Sequence, residues 1–211
     1  MTLYLGPQVH AVAVGEDLAL LDLARDAYLC LPGAAAALVA GSCGAIRPGP
    51  TARTLEAGGL LRPEASGERR APPPLPVRTL IHQSRPAAVR PRDIAAALAV
   101  PGDVRRARRG DGLGAWLALA DARAPLSSDP EAVAAAARLF WEIGPWLPVE
   151  GECLVRSAML VVFLRRRGLA ADWVFGVRLW PFAAHCWVQI GDLCLNDDVE
   201  RLWPYTPLYR R

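Results

Sequence analysis

The spacing of hydrophobic residues changes several times along the chain, and the last quarter carries the clearest pattern. Residues 152–164 are mostly apolar over the length of a buried helix, and a run of three arginines before Gly168 marks the end of that helix. The segments 173–177 and 184–190 are rich in β-forming residues and predict two adjacent strands. A third apolar segment, 193–197, follows a tight turn. We therefore predict a helix followed by a C-terminal β-ribbon.

The first 60 residues show strand spacing followed by helical composition. Residues 9–14 predict a strand, and residues 18–23 and 27–31 predict a hairpin. An Ala-rich helix is expected over 32–40, and a further helix over 51–57, capped by its first residue and ended by two glycines. Strands followed by helices on this scale predict a small winged-helix-like fold.

A change of composition separates this first unit from the rest. Residues 62–77 are rich in Pro, Glu, Arg and Gly and have too little apolar periodicity to form a buried element. We expect a PPII-like linker that lets the flanking parts reorient. The predicted organisation is an α+β chain with a small N-terminal domain over 1–61, this linker, and a second domain over 78–211.

Helical patterns dominate the start of the second domain. Helices are predicted over 93–99, 116–120 and 130–142, separated by proline and glycine. The clearest start is at 128–131, where a capping side chain, a proline and an early acid follow one another. The apolar residues of this last helix fall on one face, so we expect it to cover the core of the domain.

The charged residues exclude several classes of function. The chain has 24 basic residues, and every one is arginine. A Walker-type phosphate loop and a Schiff-base mechanism each need a lysine, so the sequence excludes both. The net charge of +3, with 21 acidic residues, is too small to indicate nucleic-acid binding. The helix predicted over 51–57 also lacks the basic surface of a DNA-reading helix.

Targeting signals and the spacing of cysteines indicate the cellular compartment and whether a metal site is expected. The chain has no basic signal-peptide region and no apolar run of 18 residues, so we expect a cytoplasmic protein without a membrane partner. Its five cysteines lack CxxC spacing, which favours reduced thiols over a disulfide framework. No metal site is expected, because His185 and Cys186 are neighbours on one strand and point to opposite faces. His82 is expected to be structural or exposed.

Three residues of the C-terminal pattern have the chemistry of a thiol hydrolase. Cys153 falls at the start of the predicted helix, where unpaired backbone N–H groups and the helix macrodipole favour thiolate over thiol. His185 could protonate a leaving amine, and a carboxylate at Asp197 could fix the tautomer of the imidazole. Each residue alone is more often structural, so the prediction depends on the pattern around them.

The surrounding motifs supply that wider pattern. They are Cys153-Leu154, Arg156-Ser157, the Leu-Arg-Arg-Arg-Gly of 164–168, Phe175-Gly176-Val177, Pro181-Phe182, His185, Trp187-Val188, Leu195-Asn196-Asp197 and 205–208. As a set they resemble the leader peptidases of lasso peptide biosynthesis, the B proteins, within the transglutaminase-like cysteine protease superfamily. The resemblance implies a papain-like or transglutaminase-like domain and catalytic roles for Cys153, His185 and Asp197. The sequence departs from that family at Cys186, where Ala is frequent, and at Gln189, where an acid is common.

The residues alone leave open which acid orients the histidine. A two-residue hairpin loop would place Asp198 opposite His185, whereas a three-residue loop would place Asp197 there. The resemblance favours Asp197, and Asp198 stays the alternative.

The order of elements in the first unit resembles the PqqD-like precursor-peptide recognition domains that precede or accompany lasso leader peptidases. The resemblance implies that a leader peptide binds as an extra strand beside 27–31, with its side chains against the helix over 51–57. The expected peptide-binding residues are Tyr28, Leu29, Cys30, Leu31 and Arg53.

The function expected from both resemblances is a cysteine endopeptidase that binds the leader of a ribosomal precursor peptide and cuts it from the core during lasso peptide maturation. The implied partners are the precursor and an asparagine-synthetase-like cyclase. A non-catalytic scaffold that holds the peptide for the cyclase, and an acyl transferase on the same triad, are the alternatives. The family has been linked with an ATP requirement, but the chain has no nucleotide motif and no cofactor is expected.

Overall fold

Two small sheets and one helix make up the N-terminal part. The computed structural model describes residues 2–42, 44–65, 67, 70–81, 89–122, 124–147 and 151–211. In chain order the first elements are β1 (Leu3–Leu5), β2 (Val9–Val14), β3 (Asp17–Asp22), β4 (Ala27–Leu31), β5 (Ala45–Ile46), α1 (Pro50–Ala57) and β6 (Leu61–Arg62). Strands β2, β3 and β4 form an antiparallel meander, and β1 lies between β5 and β6 in the second sheet. The three strands predicted for this region are confirmed.

The Ala-rich helix predicted over 32–40 is wrong. Only one 3-10 turn, Ala35–Ala37, forms there, and the chain leaves it in an extended conformation. The N–H of Val39 then donates to the carbonyl of Ala45 at 3.0 Å. Pairing with the segment around β5 therefore satisfies backbone groups that a helix would have paired internally, and it overrides the helix propensity of alanine.

Helix α1 begins one residue earlier than predicted, at Pro50. Gly49 occupies the cap position and no side chain caps the helix, so the predicted capping role of Thr51 is wrong. The fixed φ of proline is already suited to the first helical position, which explains the earlier start. Among the described residues of the N-terminal part this is the one α-helix, so the winged-helix-like and PqqD-like comparisons stay predictions.

The C-terminal part combines a helical layer with a five-stranded sheet. Its elements are β7 (Arg78–Thr79), α2 (Pro91–Arg108), α3 (Gly112–Leu117), α4 (Pro130–Ile143), α5 (Cys153–Arg166), β8 (Asp172–Arg178), β9 (Ala183–Ile190), β10 (Leu193–Cys194), α6 (Val199–Leu202) and β11 (Thr206–Arg210). The strand order is β11-β8-β9-β10-β7, antiparallel except for the pair of β10 with β7. The mixture of helices and antiparallel strands agrees with the predicted α+β class.

The helices predicted over 93–99 and 130–142 are present, whereas the segment 116–120 contains only the end of α3 and a 3-10 turn, Ala118–Ala120. Helix α4 begins as predicted, and Asp129 caps it by accepting the N–H of Ala132 at 2.9 Å. Helix α2 continues through Pro101, where the sequence predicted an end. The buried side chains of Val100 and Val104 continue its apolar face past the proline, so packing outweighs the lost backbone hydrogen bond.

Helix α5 is the central element of the core. It packs against α2, α4 and β9. Its residues from Ser157 to Leu164 are all buried. A helix enclosed on all sides needs no polar face, which explains its nearly continuous apolar sequence. Gly168, at φ +73°, ends the segment in the left-handed region, as predicted.

Strand β3 joins the cores of the two parts. Leu18 and Leu20 pack into the N-terminal core, whereas Ala19 and Leu21 belong to the same cluster as α5 and β9. Alternate side chains of a strand point to opposite faces, so this strand is buried on both sides. The two parts share a packed interface, which corrects the prediction that the linker leaves them free to reorient.

The end of the predicted linker lies on the C-terminal sheet. The carbonyl of Pro74 accepts a hydrogen bond from Nε2 of Gln189 at 3.1 Å, and Leu75 packs beside Trp187. Val77 donates its N–H to the carbonyl of Asp192 at 3.0 Å. Residues 66, 68 and 69 of this segment lie outside the described residues. The domain boundaries drawn from composition stay predictions.

Candidate active site

Cys153 is the first residue of α5. Glu152 occupies the cap position in an extended conformation and makes no side-chain cap, so the first N–H groups of the helix remain directed at the surroundings of the thiol. The side chain is half-buried. This placement combines the positive end of the macrodipole with access for a substrate, as the sequence predicted.

His185 lies on β9, opposite Gly176 of β8. Its Nε2 atom is 2.6 Å from Oδ2 of Asp197. Because Nε2 is engaged by the carboxylate, Nδ1 is the ring nitrogen left for the Cys153 thiol, whose interaction with the imidazole raises the pKa of His185. The structure thus brings Cys153, His185 and Asp197 together in one chain of contacts.

The electrostatics favour an ion pair between the thiol and the imidazole. A hydrogen bond from Cys186 and the contact with His185 lower the pKa of Cys153 to about 4, although burial acts in the opposite direction. Burial disfavours the charged form of His185, yet hydrogen bonds to Asp197 and Cys153 raise its pKa to about 9. Near neutral pH the pair is therefore thiolate and imidazolium.

Cys186 supplies a second thiol to the site. It is buried, which raises its pKa well above the usual range, so it remains protonated, and its thiol donates to the Ser157 hydroxyl at 3.8 Å. Although Cys186 and His185 are neighbours on β9, both side chains lower the pKa of Cys153. The resemblance marked Cys186 as a departure; the structure makes it a direct neighbour of the nucleophile.

Asp197 reaches His185 from outside the regular strand. The loop between β9 and β10 has two residues, with Ile190 paired with Leu193, and this register predicted Asp198 at the histidine. The β10 ladder ends at Cys194, however, and the next three residues bend away from strand geometry. The irregular segment carries the carboxylate of Asp197 to the imidazole.

Asp198 has a different role. Its side chain accepts the N–H of Glu200 at 3.3 Å and caps the short helix α6. The carboxylate of Asp197 instead accepts the N–H of Asp198 at 2.8 Å. Burial opposes its ionisation, but this bond and the bond with His185 leave the pKa of Asp197 below its usual value. The carboxylate is therefore charged when the histidine is protonated.

A buried polar network fixes the segment that carries Asp197. The hydroxyl of Ser157 donates to the carbonyl of Cys186 at 3.2 Å and accepts from Nδ2 of Asn196 at 2.8 Å. The other end of the Asn196 amide accepts the N–H of Val188 at 2.7 Å. In the sequence Ser157 stands out only as part of the Arg156-Ser157 motif; in the structure it connects α5, β9 and the Asp197 segment.

Two further contacts hold the same segment from the opposite sides. The indole N–H of Trp141 donates to the carbonyl of Leu195 at 2.7 Å, and the hydroxyl of Thr79 donates to the carbonyl of Asp197 at 2.7 Å. The guanidinium of Arg156 lies over the Trp141 ring, 5.7 Å from its centroid. The sequence does not indicate a role for Trp141 or Thr79. Their partners are backbone carbonyls, which come close to these side chains only in the folded chain.

Gly176 makes room for an aromatic neighbour of the histidine. A Cβ at this position would lie 2.8 Å from the ring of Trp187 and 3.2 Å from the carbonyl of Thr206. The Trp187 ring is fully buried and stacks at 6.3 Å from His185, which also lies 5.2 Å from the Tyr205 ring. The glycine of the Phe-Gly-Val motif therefore allows the ring packing behind the imidazole.

The predicted peptide-binding residues lie in two places. Tyr28, Leu29 and Cys30 line a cavity on β4, whereas Leu31 packs partly into the N-terminal core and Arg53 is exposed on α1. Burial and then the neighbouring Cys186, Asp26 and Cys153 raise the pKa of Tyr28. The β4 tyrosine therefore lies within electrostatic reach of the candidate nucleophile.

Other candidate chemistry adds little to the site. Within the described ranges, no group of three or more His, Cys, Asp or Glu side chains is arranged to hold a metal ion. None of the described helices is both long and apolar enough to cross a bilayer. His82, expected to be structural or exposed, lies outside the described residues.

Comparison with known proteins identifies one relative and one family. The chain is similar to the microcin J25-processing protein McjB of Escherichia coli, 40% identical over 48 residues, which are 23% of this chain and 23% of that protein. Most of both chains therefore lies outside the match. No solved structure shows a significant match. A family model described as the transglutaminase-like superfamily matches residues 83–210, the helices and sheet that carry all three candidate catalytic residues. The chain thus belongs to the transglutaminase-like superfamily.

Proposed function

We propose that the protein is a cysteine endopeptidase that cleaves the leader from the core of a ribosomally made precursor peptide during lasso peptide maturation. The observation that carries the proposal is the chain of contacts from the Cys153 thiol through His185 to Asp197. Cysteine proteases and acyltransferases are both common in the superfamily. The partial similarity to a microcin-processing protein supports a peptide as the substrate.

The reaction follows from the protonation states. The Cys153 thiolate attacks the scissile carbonyl carbon, and the oxyanion that develops lies near the backbone N–H groups at the start of α5. The imidazolium of His185 gives its proton to the leaving amine nitrogen as the C–N bond breaks, which leaves a thioester on Cys153. His185 then takes a proton from water, and the hydroxide adds to the thioester carbon and displaces the Cys153 thiolate. The acyl half leaves as a carboxylic acid that loses its proton to solvent, and the thiolate–imidazolium pair is restored.

Asp197 contributes through the histidine. Its carboxylate holds Nε2 of His185, which directs Nδ1 towards the sulfur and favours the imidazolium that the first step requires. Ser157 and Asn196 keep the carboxylate segment at a fixed distance from β9. These residues position the reacting groups without contacting the substrate.

Leader binding on the N-terminal part is the second element of the proposal. Strand β4 forms one end of the β2-β3-β4 sheet, so its outer edge offers backbone N–H and C=O groups to an added peptide strand. The proximity of Tyr28 to the thiol supports a path from that edge to Cys153. The product, a core peptide with a new α-amine, is a suitable substrate for an asparagine-synthetase-like cyclase.

The test uses purified protein and candidate precursors taken from short reading frames beside its gene, with the microcin J25 precursor as a second substrate. We expect cleavage by the natural protein and none by Cys153→Ala, with peptide binding retained. Cys194→Ala, which removes a buried thiol outside the triad, is the matched control and should cleave normally. Unchanged maturation with Cys153→Ala would leave only a peptide-holding scaffold. Transfer to an added amine, in place of hydrolysis, would make the protein an acyl transferase.

A further inference from the structure

A small apolar cavity lies where the N-terminal part meets the turn before β9. Its volume is about 250 Å³, and its lining comes from Tyr28, Leu29, Cys30, Leu179, Trp180 and Phe182. Half of these residues belong to β4 and half to the β8-β9 turn. Neither part forms the cavity alone, so it exists only because the two parts are packed together.

The aromatic wall of the cavity is exposed yet held in place. Trp180 is 71% exposed and Phe182 is 53% exposed, which is unusual for large apolar side chains on one turn. The Trp180 indole N–H donates to Oδ2 of Asp17 at 2.7 Å, and the Phe182 ring lies 5.7 Å from the Tyr28 ring. These contacts fix two side chains that water would otherwise leave without a preferred position.

The backbone of the turn is also constrained. Trp180 has a φ of +58°, a conformation that is unfavourable for a non-glycine residue and is concentrated at functional sites. The hydrogen bond to Asp17 anchors that residue to the start of β3. A turn that served only to connect two strands would not need a tryptophan in this conformation.

The cavity joins strand β4, where the leader is proposed to bind, to the turn that leads into β9 and His185. Phe182 precedes His185 by three residues on the same hairpin, and Tyr28 is within electrostatic reach of Cys153. A peptide strand added to β4 would direct every second side chain towards the C-terminal part. Leu29, 42% exposed on β4, borders both the free edge and the cavity.

We propose that this cavity is a subsite for one apolar side chain of the peptide substrate, and that it sets the spacing between bound leader and cleaved bond. The proposal rests on the proposed peptidase function. The volume is below the roughly 300–1,000 Å³ of small-molecule sites, so one side chain fits better than a cofactor. The lining offers aromatic and aliphatic surface without a charged group, which selects Leu, Ile, Met or an aromatic residue.

The test uses a precursor peptide that the natural protein cleaves, with each apolar leader residue replaced in turn by Ser. At one position we expect kcat/KM and the affinity for the Cys153→Ala protein to fall about tenfold or more. Phe182→Ala removes one wall of the cavity. In this variant the same leader replacement should lower kcat/KM by about threefold or less, because the contact it would break is already lost. Trp203→Ala, at an aromatic residue that is 67% exposed and lies outside the cavity, should keep the full effect.

A second variant changes the β4 wall of the cavity. Cys30→Trp, on the face of β4 that carries Tyr28, fills the space, so it should lower the affinity for the natural peptide and favour a peptide with a smaller residue at the sensitive position. If no leader position shows coupling to Phe182 beyond that seen with Trp203, the subsite proposal is overturned while the peptidase function stands. If no precursor is cleaved in a Cys153-dependent manner, the proposed function itself fails, and the subsite fails with it.

Discussion

Nε2 of His185 lies 2.6 Å from Oδ2 of Asp197, although the register of the hairpin that joins them places the neighbouring Asp198 opposite the histidine. The ladder stops at Cys194, and the segment that follows is held by side chains from α4, α5 and β7. The position of the candidate carboxylate is therefore decided by tertiary hydrogen bonds. This arrangement makes the two aspartates experimentally separable.

Replacing Asp197 by Asn should lower kcat by roughly 10²–10⁴-fold, because the amide no longer stabilises the imidazolium. The pKa of His185 should also fall, since Asp197 is one of the groups that raise it. Steady-state kinetics and NMR titration of His185 measure both effects. The matched control is Asp198→Asn, which removes the neighbouring charge while the amide oxygen can still accept the N–H of Glu200 and cap α6. An equal loss in both variants would contradict the assignment of Asp197.

The pH dependence of cleavage should be bell-shaped. Below about 4 the Cys153 thiol is protonated and cannot attack, so the rate should rise as pH increases through that value. Above about 9 His185 loses its proton and cannot protonate the leaving amine, so the rate should fall. In Asp197→Asn the alkaline limb should move to lower pH. A profile of kcat/KM against pH checks each limb, and a single acidic limb would argue against the imidazolium as the acid.

Replacing Cys186 by Ala should raise the pKa of Cys153, because the hydrogen bond from Cys186 is the largest of the effects that lower it. The rate of inactivation by iodoacetamide, followed against pH, reports the thiolate fraction. Its midpoint should move to higher pH in the variant, while His185 still keeps it below that of a free thiol. Cys194→Ala, at a buried thiol outside the triad, should leave the midpoint unchanged. A midpoint that does not move would show that Cys186 only packs.

Replacing Gly176 by Ala should destabilise the protein by about 1–3 kcal/mol, because the new methyl group would lie 2.8 Å from the ring of Trp187. The rings behind His185 would have to shift, so kcat should fall as well. Thermal unfolding gives the change in stability. Gly114→Ala is a control with open space around the new carbon, and it should be neutral or stabilising. A stable and fully active Gly176→Ala protein would rule out this packing role.

The sequence predicts those helices and strands whose hydrophobic pattern extends over many residues and whose ends carry stop or start residues. Helix α5 begins at Cys153 and the chain turns at Gly168, as expected, because apolar length and a glycine stop are local signals. The strands β2, β8 and β9 follow from the same kind of local pattern. The positions of Cys153 at a helix start and of His185 on a strand follow from these local patterns as well.

What the sequence could not predict depends on contacts between distant segments. The Ala-rich segment after β4 forms no α-helix because it pairs with β5. The two parts share a core because β3 is buried on both faces. The sequence of β3 has four consecutive apolar residues, and such a short run does not show whether one face of a strand is buried or both. The place of Asp197 depends on hydrogen bonds that its segment makes with Trp141, Ser157 and Thr79. These three residues are far apart in the sequence and follow no common spacing.

The most direct measurement is the mass of the protein during turnover. Rapid acid quenching of the natural protein with its precursor should trap a thioester, seen as an added leader acyl group on the proteolytic fragment that contains Cys153. Asp197→Asn should accumulate the same adduct more slowly, and Cys153→Ala should form none. Cleavage that proceeds without any acyl adduct on Cys153, or with the adduct on Cys186 in its place, would contradict the account.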